Sequence, residues 1–162
     1  MQGVSQAMLR LSKLTDYAAV VLVRLSHETG VQTSPGIAAT TSIPEPTVAK
    51  VLKTLAARGL VAPSKRGAHG GYWLLRPLAS IPVADVIAAV DGPIALTACV
   101  EGSTVECESQ CLCPMRGRWD PVNVAIQHAL LTITLADMQE ASIPRGFRIP
   151  AAARLPAAEG TI

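Results

Sequence analysis

The chain has 162 residues, of which 49% are hydrophobic and 3% aromatic, and its formal net charge is +2. This length suits one domain, or one domain with an added oligomerisation helix, and the apolar fraction is enough to bury an aliphatic core. No segment approaches the ~20 apolar residues of a membrane span, and the N-terminus lacks the features of a secretory signal. We therefore expect a cytoplasmic protein with no membrane partner.

Positive charge is concentrated in one part of the chain. Between Pro46 and Ala84 there is no Asp or Glu. The same stretch carries six basic residues, Lys50, Lys53, Arg58, Lys65, Arg66 and Arg76. A local positive field of this kind attracts phosphate, although a solvated basic face would give the same pattern.

Apolar periodicity predicts three helices in the first 60 residues. The first spans Leu14 to Ser26, and the second starts at Ser34, its expected N-cap, and ends at Thr41. After a break at 42–44, a third helix begins at Pro46. A short helix, a tight turn and a longer helix are typical of a helix-turn-helix, with two ordinary core helices as the alternative.

Two short extended runs follow the third helix, at residues 60–63 and 72–75, and flank a basic, glycine-rich turn. Together they predict a β-hairpin. Its glycines let the backbone approach phosphates, and Lys65 and Arg66 supply positive charge. A helix-turn-helix followed directly by such a hairpin indicates a winged helix.

The second half of the chain predicts a helix over Val83–Val90 and a longer helix from Asp120 or Pro121 to about Leu131. The wide apolar face of the longer helix suits a dimer interface, with packing on its own domain as the alternative. The expected fold class is mainly α with a small β-hairpin wing, that is, a winged helix-turn-helix domain plus a long dimerisation helix. The expected parts are a DNA-binding domain at 8–91, a cysteine-rich loop at 92–114, the dimerisation helix at 115–140 and a disordered tail at 141–162.

All four cysteines, Cys99, Cys107, Cys111 and Cys113, lie within 15 residues. In the cytoplasm, clustered cysteines are more often metal ligands or redox groups than structural disulfides. Iron–sulfur clusters need thiolates that converge on a compact core, whereas zinc sites usually come as two CxxC-like pairs, which are absent here. The spacing alone favours a metal or cluster, and leaves zinc, redox-active thiols and inert thiols open.

Four segments of the chain resemble one known family. The segment LRLSKLTDYAAVVLVRLS, the helix-turn-helix, the wing SKRGAHGGYWLL and the helix VADVIAAVDGP resemble the IscR/NsrR family of winged-helix transcription regulators, closest to the branch that regulates the SUF system of iron–sulfur assembly. The similarity extends from about Met8 to Gln139. It implies a homodimer that binds a palindromic operator in double-stranded DNA, with an iron–sulfur cluster in each subunit next to the dimerisation helix.

The resemblance also implies a set of cluster ligands. Cys99, Cys107 and Cys113 match the family's three cysteine ligands. Arg116 stands where one branch has a histidine ligand, so the 2Fe-2S site of that branch is not carried over intact. Other members take the fourth ligand from the partner's first helix, at the position of Asp16, and Cys111 is its rival. These residues do not decide between a 2Fe-2S and a 4Fe-4S cluster.

The expected DNA contacts follow from the helix-turn-helix and the wing. They are Thr47, Lys50 and Lys53 in the major groove, Lys65 and Arg66 at phosphates or in the minor groove, and Ser34 at a phosphate.

The expected function is that of a homodimeric transcription regulator, a repressor or an activator. An iron–sulfur cluster would control its operator binding, and its targets would be SUF genes or iron, redox and nitric-oxide stress genes. The alternative is a zinc-stabilised or thiol-redox winged-helix regulator without a cluster. An enzyme is not expected, because a thiol oxidoreductase would need a CxxC motif within a thioredoxin-like βαβ pattern.

Overall fold

The computed structural model of the protein describes residues 10–65, 70–104, 106–107 and 112–140. The elements within these ranges are, in chain order, α1 (Lys13–Ser26), α2 (Ser34–Thr41), α3 (Glu45–Ala57), β1 (Val61–Ser64), β2 (Gly71–Leu74), a 3-10 helix (Leu78–Ser80), α4 (Val83–Val90), α5 (Asp120–Thr132) and α6 (Leu135–Gln139). The fold is mainly helical with one small antiparallel hairpin, which confirms the predicted fold class. No helix of the described residues is long and apolar enough to cross a membrane.

The core is built around α1 and α3. Each buries four aliphatic side chains at the spacing i, i+3, i+4 and i+7 of one helix face, namely Ala18, Val21, Leu22 and Leu25 of α1 and Val48, Val51, Leu52 and Leu55 of α3. Ile37 of α2, Ile81 before α4 and Leu135 of α6 complete the same cluster. Since burying such a side chain contributes about 1.5–3 kcal/mol, this packing fixes the direction in which the other face of α3 points.

The helix-turn-helix is formed by α2 and α3, with small differences from the expected ends. The N-cap of α2 is Thr33 instead of Ser34, because the Thr33 hydroxyl accepts a hydrogen bond from the Gly36 N–H at 3.2 Å. Ser42 ends α2 in the left-handed conformation, with φ of 58°. Helix α3 starts at Glu45, one residue before the expected Pro46.

The hairpin is attached to the helical core through Gln32. The Gln32 N–H donates to the Tyr72 carbonyl at 2.9 Å, and the Tyr72 N–H donates back to Gln32 at 2.8 Å. The buried Gln32 side chain donates to the carbonyl of Leu25 at the end of α1. Strand β1, Val61–Ser64, starts one residue later than the expected run, and β2, Gly71–Leu74, starts one residue earlier. The turn at 66–69 lies outside the described residues.

Helix α4 has the predicted bounds, and Asp91 directly after it holds the start of α1. One oxygen of the Asp91 carboxylate accepts from the Ser12 N–H at 3.0 Å and from the Thr15 hydroxyl at 2.8 Å. Partial desolvation raises the pKa of Asp91, but the hydrogen bonds from Ser12 and Thr15 outweigh it, so the pKa lies below its ordinary value of 3.8. Asp91 therefore joins the N-terminus of α1 to the first residues of the cysteine-rich segment.

Helix α5 packs on α4 and leaves much of its apolar surface uncovered. The only residue of α5 that is buried is Asn123. Val122, Val124 and Leu131 are 44%, 60% and 54% exposed. The chain then turns into α6, whose N-terminus is capped by a capping box between Thr134 and Asp137. The expected tail at 141–162 lies outside the described residues.

Asp91→Asn tests the link between α4 and α1. Because the folded pKa is lowered, the stabilising contribution of the carboxylate is complete above pH 3.8 and is lost as the pH falls through the folded pKa. We expect a loss of about 0.5–1 kcal/mol at neutral pH, since the carboxylate is solvent-exposed, and a smaller loss of stability on acidification than in the wild type. Thermal unfolding, measured at neutral pH and at pH values below 3.8, gives the loss at neutral pH and the loss on acidification. The exposed Glu106→Gln is the control.

Gly71→Ala tests the attachment of the hairpin. An added Cβ would lie 2.5 Å from Val31 Cγ1 and 2.7 Å from the Gln32 carbonyl oxygen, so the backbone has to move. We expect a loss of about 1–3 kcal/mol in the free energy of unfolding and faster exchange of the Tyr72 amide. Tyr72→Phe, which keeps the backbone, is the control. Equal stability of Gly71→Ala and wild type would show that this attachment is unimportant.

Candidate functional site

The exposed face of α3 carries the side chains expected to read DNA. Lys50 and Lys53 are exposed and lie on the side of α3 opposite its buried stripe, and Thr47 is half-buried at the edge of that stripe. The lysines therefore project into solvent from a helix that the core holds rigidly. Lys65, at the end of the described part of the wing, is also exposed, and Arg66 lies outside the described residues.

Two polar contacts brace the helix-turn-helix. The Ser34 hydroxyl donates to a carboxylate oxygen of Glu45 at 3.3 Å, which joins the N-termini of α2 and α3. Arg24 of α1 donates to the Thr40 hydroxyl at 2.8 Å and pairs with Glu28. The Ser34 side chain, expected at a phosphate, is thus engaged within the protein. Sequence reasoning missed Glu45, which lies one residue before the stretch without acidic side chains.

The cysteines lie in the part of the chain between α4 and α5, of which residues 92–114 are called here the cysteine loop. Cys99, Cys107 and Cys113 are half-buried free thiols, and Cys111 lies outside the described residues. The Cys99 sulfur lies 3.2 Å from the Thr97 hydroxyl oxygen. Among the described residues, no three His, Cys, Asp or Glu side chains are arranged to hold a metal ion. Asp16, exposed in the first turn of α1, belongs to no such group either.

Three polar side chains on one face of α5 hold the first part of the cysteine loop. Asn123 accepts from the Leu96 N–H at 3.0 Å and donates to the Ile94 carbonyl at 3.3 Å. Gln127 donates to the same carbonyl at 2.8 Å. Asp120 accepts from the Glu101 N–H at 3.2 Å. The loop backbone is therefore bonded to α5 on both sides of Cys99.

An open recess of about 530 Å³ lies beside Cys99. Its lining residues include Glu101, Glu106 and Asp120. Cys99 itself is half-buried, and the hydrogen bonds to α5 hold the backbone on either side of it.

Sequence reasoning did not identify the residues that support the loop. Asp120, Asn123 and Gln127 are spaced i, i+3 and i+7, which places three polar side chains along one side of a mostly apolar helix. That spacing is the signal that could have found them. Asp91 carried a weaker signal, since an Asp before Gly92 and Pro93 is also an ordinary helix end.

The chain matches known proteins over most of its length. A profile of the Rrf2 family, described as "Iron-dependent Transcriptional regulator", matches residues 11–141. The protein rrf2 of Nitratidesulfovibrio vulgaris is 36% identical over 95 residues, which cover 58% of this chain and 62% of that relative. The alignment thus spans less than two thirds of the relative's length.

Two solved structures are similar in fold and sequence. CymR, the global cysteine regulator of B. subtilis, superposes with a TM-score of 0.63 and 28% identity, covering 83% of this chain and 98% of that chain. IscR of T. potens superposes with a TM-score of 0.60 and 25% identity, covering 89% and 95%. The relatives are transcriptional regulators, which agrees with the expectation that this chain is not an enzyme. The chain belongs to the Rrf2 family of DNA-binding transcription regulators.

Proposed function

We propose that this chain is a homodimeric transcription regulator whose binding to a palindromic operator is controlled by an iron–sulfur cluster in the cysteine loop. The observation that carries the proposal is that the loop holding every cysteine of the chain is hydrogen-bonded along α5. The same helix presents uncovered apolar side chains. A movement of the loop at the thiols would therefore shift α5 and the apolar surface that a second subunit would cover.

Operator binding is assigned to α3 and the wing. Thr47, Lys50 and Lys53 would enter the major groove, because α3 is the second helix of the helix-turn-helix. Lys65 and Arg66 of the wing would contact phosphates or the minor groove. Ser34 would reach a phosphate oxygen only by giving up its hydrogen bond to Glu45.

The dimer interface is assigned to α5. An apolar helix face left in water favours association with another apolar surface. Val124 and Leu131 of α5 are more than half exposed, and Leu112, which lies between Cys111 and Cys113, is 94% exposed. A second copy of the chain, packed α5 against α5, would cover these side chains and bring each cysteine loop close to the other subunit.

The donor set of the loop fits a cluster. Three half-buried thiols in one loop are sulfur ligands of the kind that iron–sulfur centres use. Cys99, Cys107 and Cys113 would bind iron, and the fourth ligand would be Asp16 of the partner subunit or Cys111. When bound, the cluster supplies a redox-sensitive and iron-dependent link among the thiolates. Such a cluster would be 2Fe-2S or 4Fe-4S, and the ratio of iron and sulfide to protein distinguishes the two.

The proposed setting is the cytoplasm, and the proposed targets are genes of SUF-type iron–sulfur assembly or of iron, redox and nitric-oxide stress. The similarity to IscR of T. potens supports this assignment. A second candidate is a thiol-redox or zinc-stabilised regulator without a cluster. It is favoured by the similarity to CymR, a global cysteine regulator, over nearly all of that protein's length.

Removing the α3 lysines tests the DNA-binding surface. Lys50→Ala and Lys53→Ala should each lower affinity for a duplex operator, obtained by selection from random DNA, about tenfold, and each should reduce the slope of log affinity against log salt by about one. Fluorescence anisotropy across a salt series measures both quantities. Lys13→Ala, an exposed lysine on α1, is the matched control. Unchanged slopes in both α3 variants would move the interface elsewhere.

Removing Cys99 tests the cluster assignment. After anaerobic reconstitution, Cys99→Ala should hold iron and sulfide near background, because it lacks one thiolate ligand, whereas Thr104→Ala in the same loop should match the wild type. Iron, sulfide and zinc analysis with an absorption spectrum is the measurement. Full iron and sulfide content in Cys99→Ala would contradict the ligand set. Iron-free wild type whose operator affinity changes on thiol oxidation would establish the second candidate.

A further inference from the structure

Asn123 occupies an unusual position for an amide side chain. It is 3% exposed and is the one buried residue of α5. A buried amide lowers stability unless its donor and acceptor are both bonded. Here both are used on the loop backbone, toward Ile94 and Leu96. An aliphatic residue of similar size would leave the Leu96 N–H without its acceptor.

The contacts of α5 bracket Cys99 along the chain. Asn123 holds Leu96, three residues before Cys99, and Asp120 holds Glu101, two residues after it. Val100, next to Cys99, is 5% exposed and adds an apolar anchor. The position of Cys99 relative to α5 is therefore set by the protein itself.

Asn123 and Gln127 contribute differently to this attachment. Both donate to the Ile94 carbonyl, so either one can replace the other there. The Leu96 N–H has Asn123 as its acceptor. Because a donor and an acceptor about 3.6 Å apart no longer form a hydrogen bond, a displacement of the Cys99 segment either breaks these bonds or carries α5 with it.

We propose that Asn123 is a positioning residue that fixes Cys99 to α5 and transmits the state of the cysteine loop to the dimer interface. The transmission part rests on the proposed function of the chain. The positioning part concerns only the chain's own hydrogen bonds and is independent of any cluster.

The experiment compares full-length wild type, Asn123→Ala and Asn123→Asp. The Asp variant keeps the acceptor for the Leu96 N–H and loses the donor to the Ile94 carbonyl, which Gln127 still supplies, so it isolates the Leu96 bond and is the second variant if Asn123→Ala fails to fold. Lys13→Ala, an exposed position on α1 outside the proposed dimer interface, is the control.

The first readout uses cluster-free protein. The rate at which iodoacetamide alkylates Cys99, relative to Cys107, is followed by mass spectrometry, and exchange of the Leu96 amide is followed by NMR. We expect Asn123→Ala to raise both about tenfold, the change expected for one net hydrogen bond, and Asn123→Asp to lie closer to wild type. Unchanged rates in the folded variants would overturn the positioning role.

The second readout is the ratio of operator affinities of reconstituted and cluster-free protein. Asn123→Ala should move this ratio toward one while leaving the cluster-free affinity within about twofold of wild type. A merely structural role would lower both affinities together and leave the ratio unchanged, which would overturn transmission. A ratio of one in the wild type would refute the proposed function and transmission with it, while the alkylation rates would still decide whether Asn123 positions Cys99.

Discussion

The packing of α1 against α3 is the constraint on which the rest of the structure depends. Each helix contributes four aliphatic side chains that are at most 2% exposed, and such burial is the main source of folding free energy. Because one face of α3 is locked in this way, Lys50 and Lys53 on its other face are presented to solvent in a fixed direction. The hairpin is attached to the same unit through Gln32, whose side chain donates to the Leu25 carbonyl near the end of α1.

Polar contacts attach the beginning of the cysteine loop to two neighbouring helices. Asp91, the residue before the loop, accepts a hydrogen bond from Thr15 at the start of α1, and Asn123 bonds the first part of the loop to α5. The chain therefore places its thiols between the DNA-reading domain and the helix with the uncovered apolar face. A ligand that draws the thiols together would act on both neighbours at once, which is the geometry a sensor requires.

Local pattern was enough to predict most helices but not the contacts between them. The helices α1 and α4 follow from the spacing of their apolar residues, so a short window of sequence is enough to predict them. The roles of Gln32, Asp91 and Asn123 depend on partners 40, 76 and 27 residues away in the chain, which local pattern does not encode. The Thr33 cap was missed by one residue because Thr33 and Ser34 are chemically equivalent caps. The cysteine ligand set and Asp16 rest on resemblance and await measurement.

The proposed regulation requires that the state of the cysteine loop controls operator binding. The most direct test measures operator affinity of wild-type protein before and after anaerobic removal of the reconstituted cluster, at one salt concentration, in the same preparation. The account predicts that the two affinities differ by at least about fivefold, a coupling free energy of ~1 kcal/mol. Equal affinities, with iron and sulfide analysis showing that the cluster was present and then removed, would contradict it.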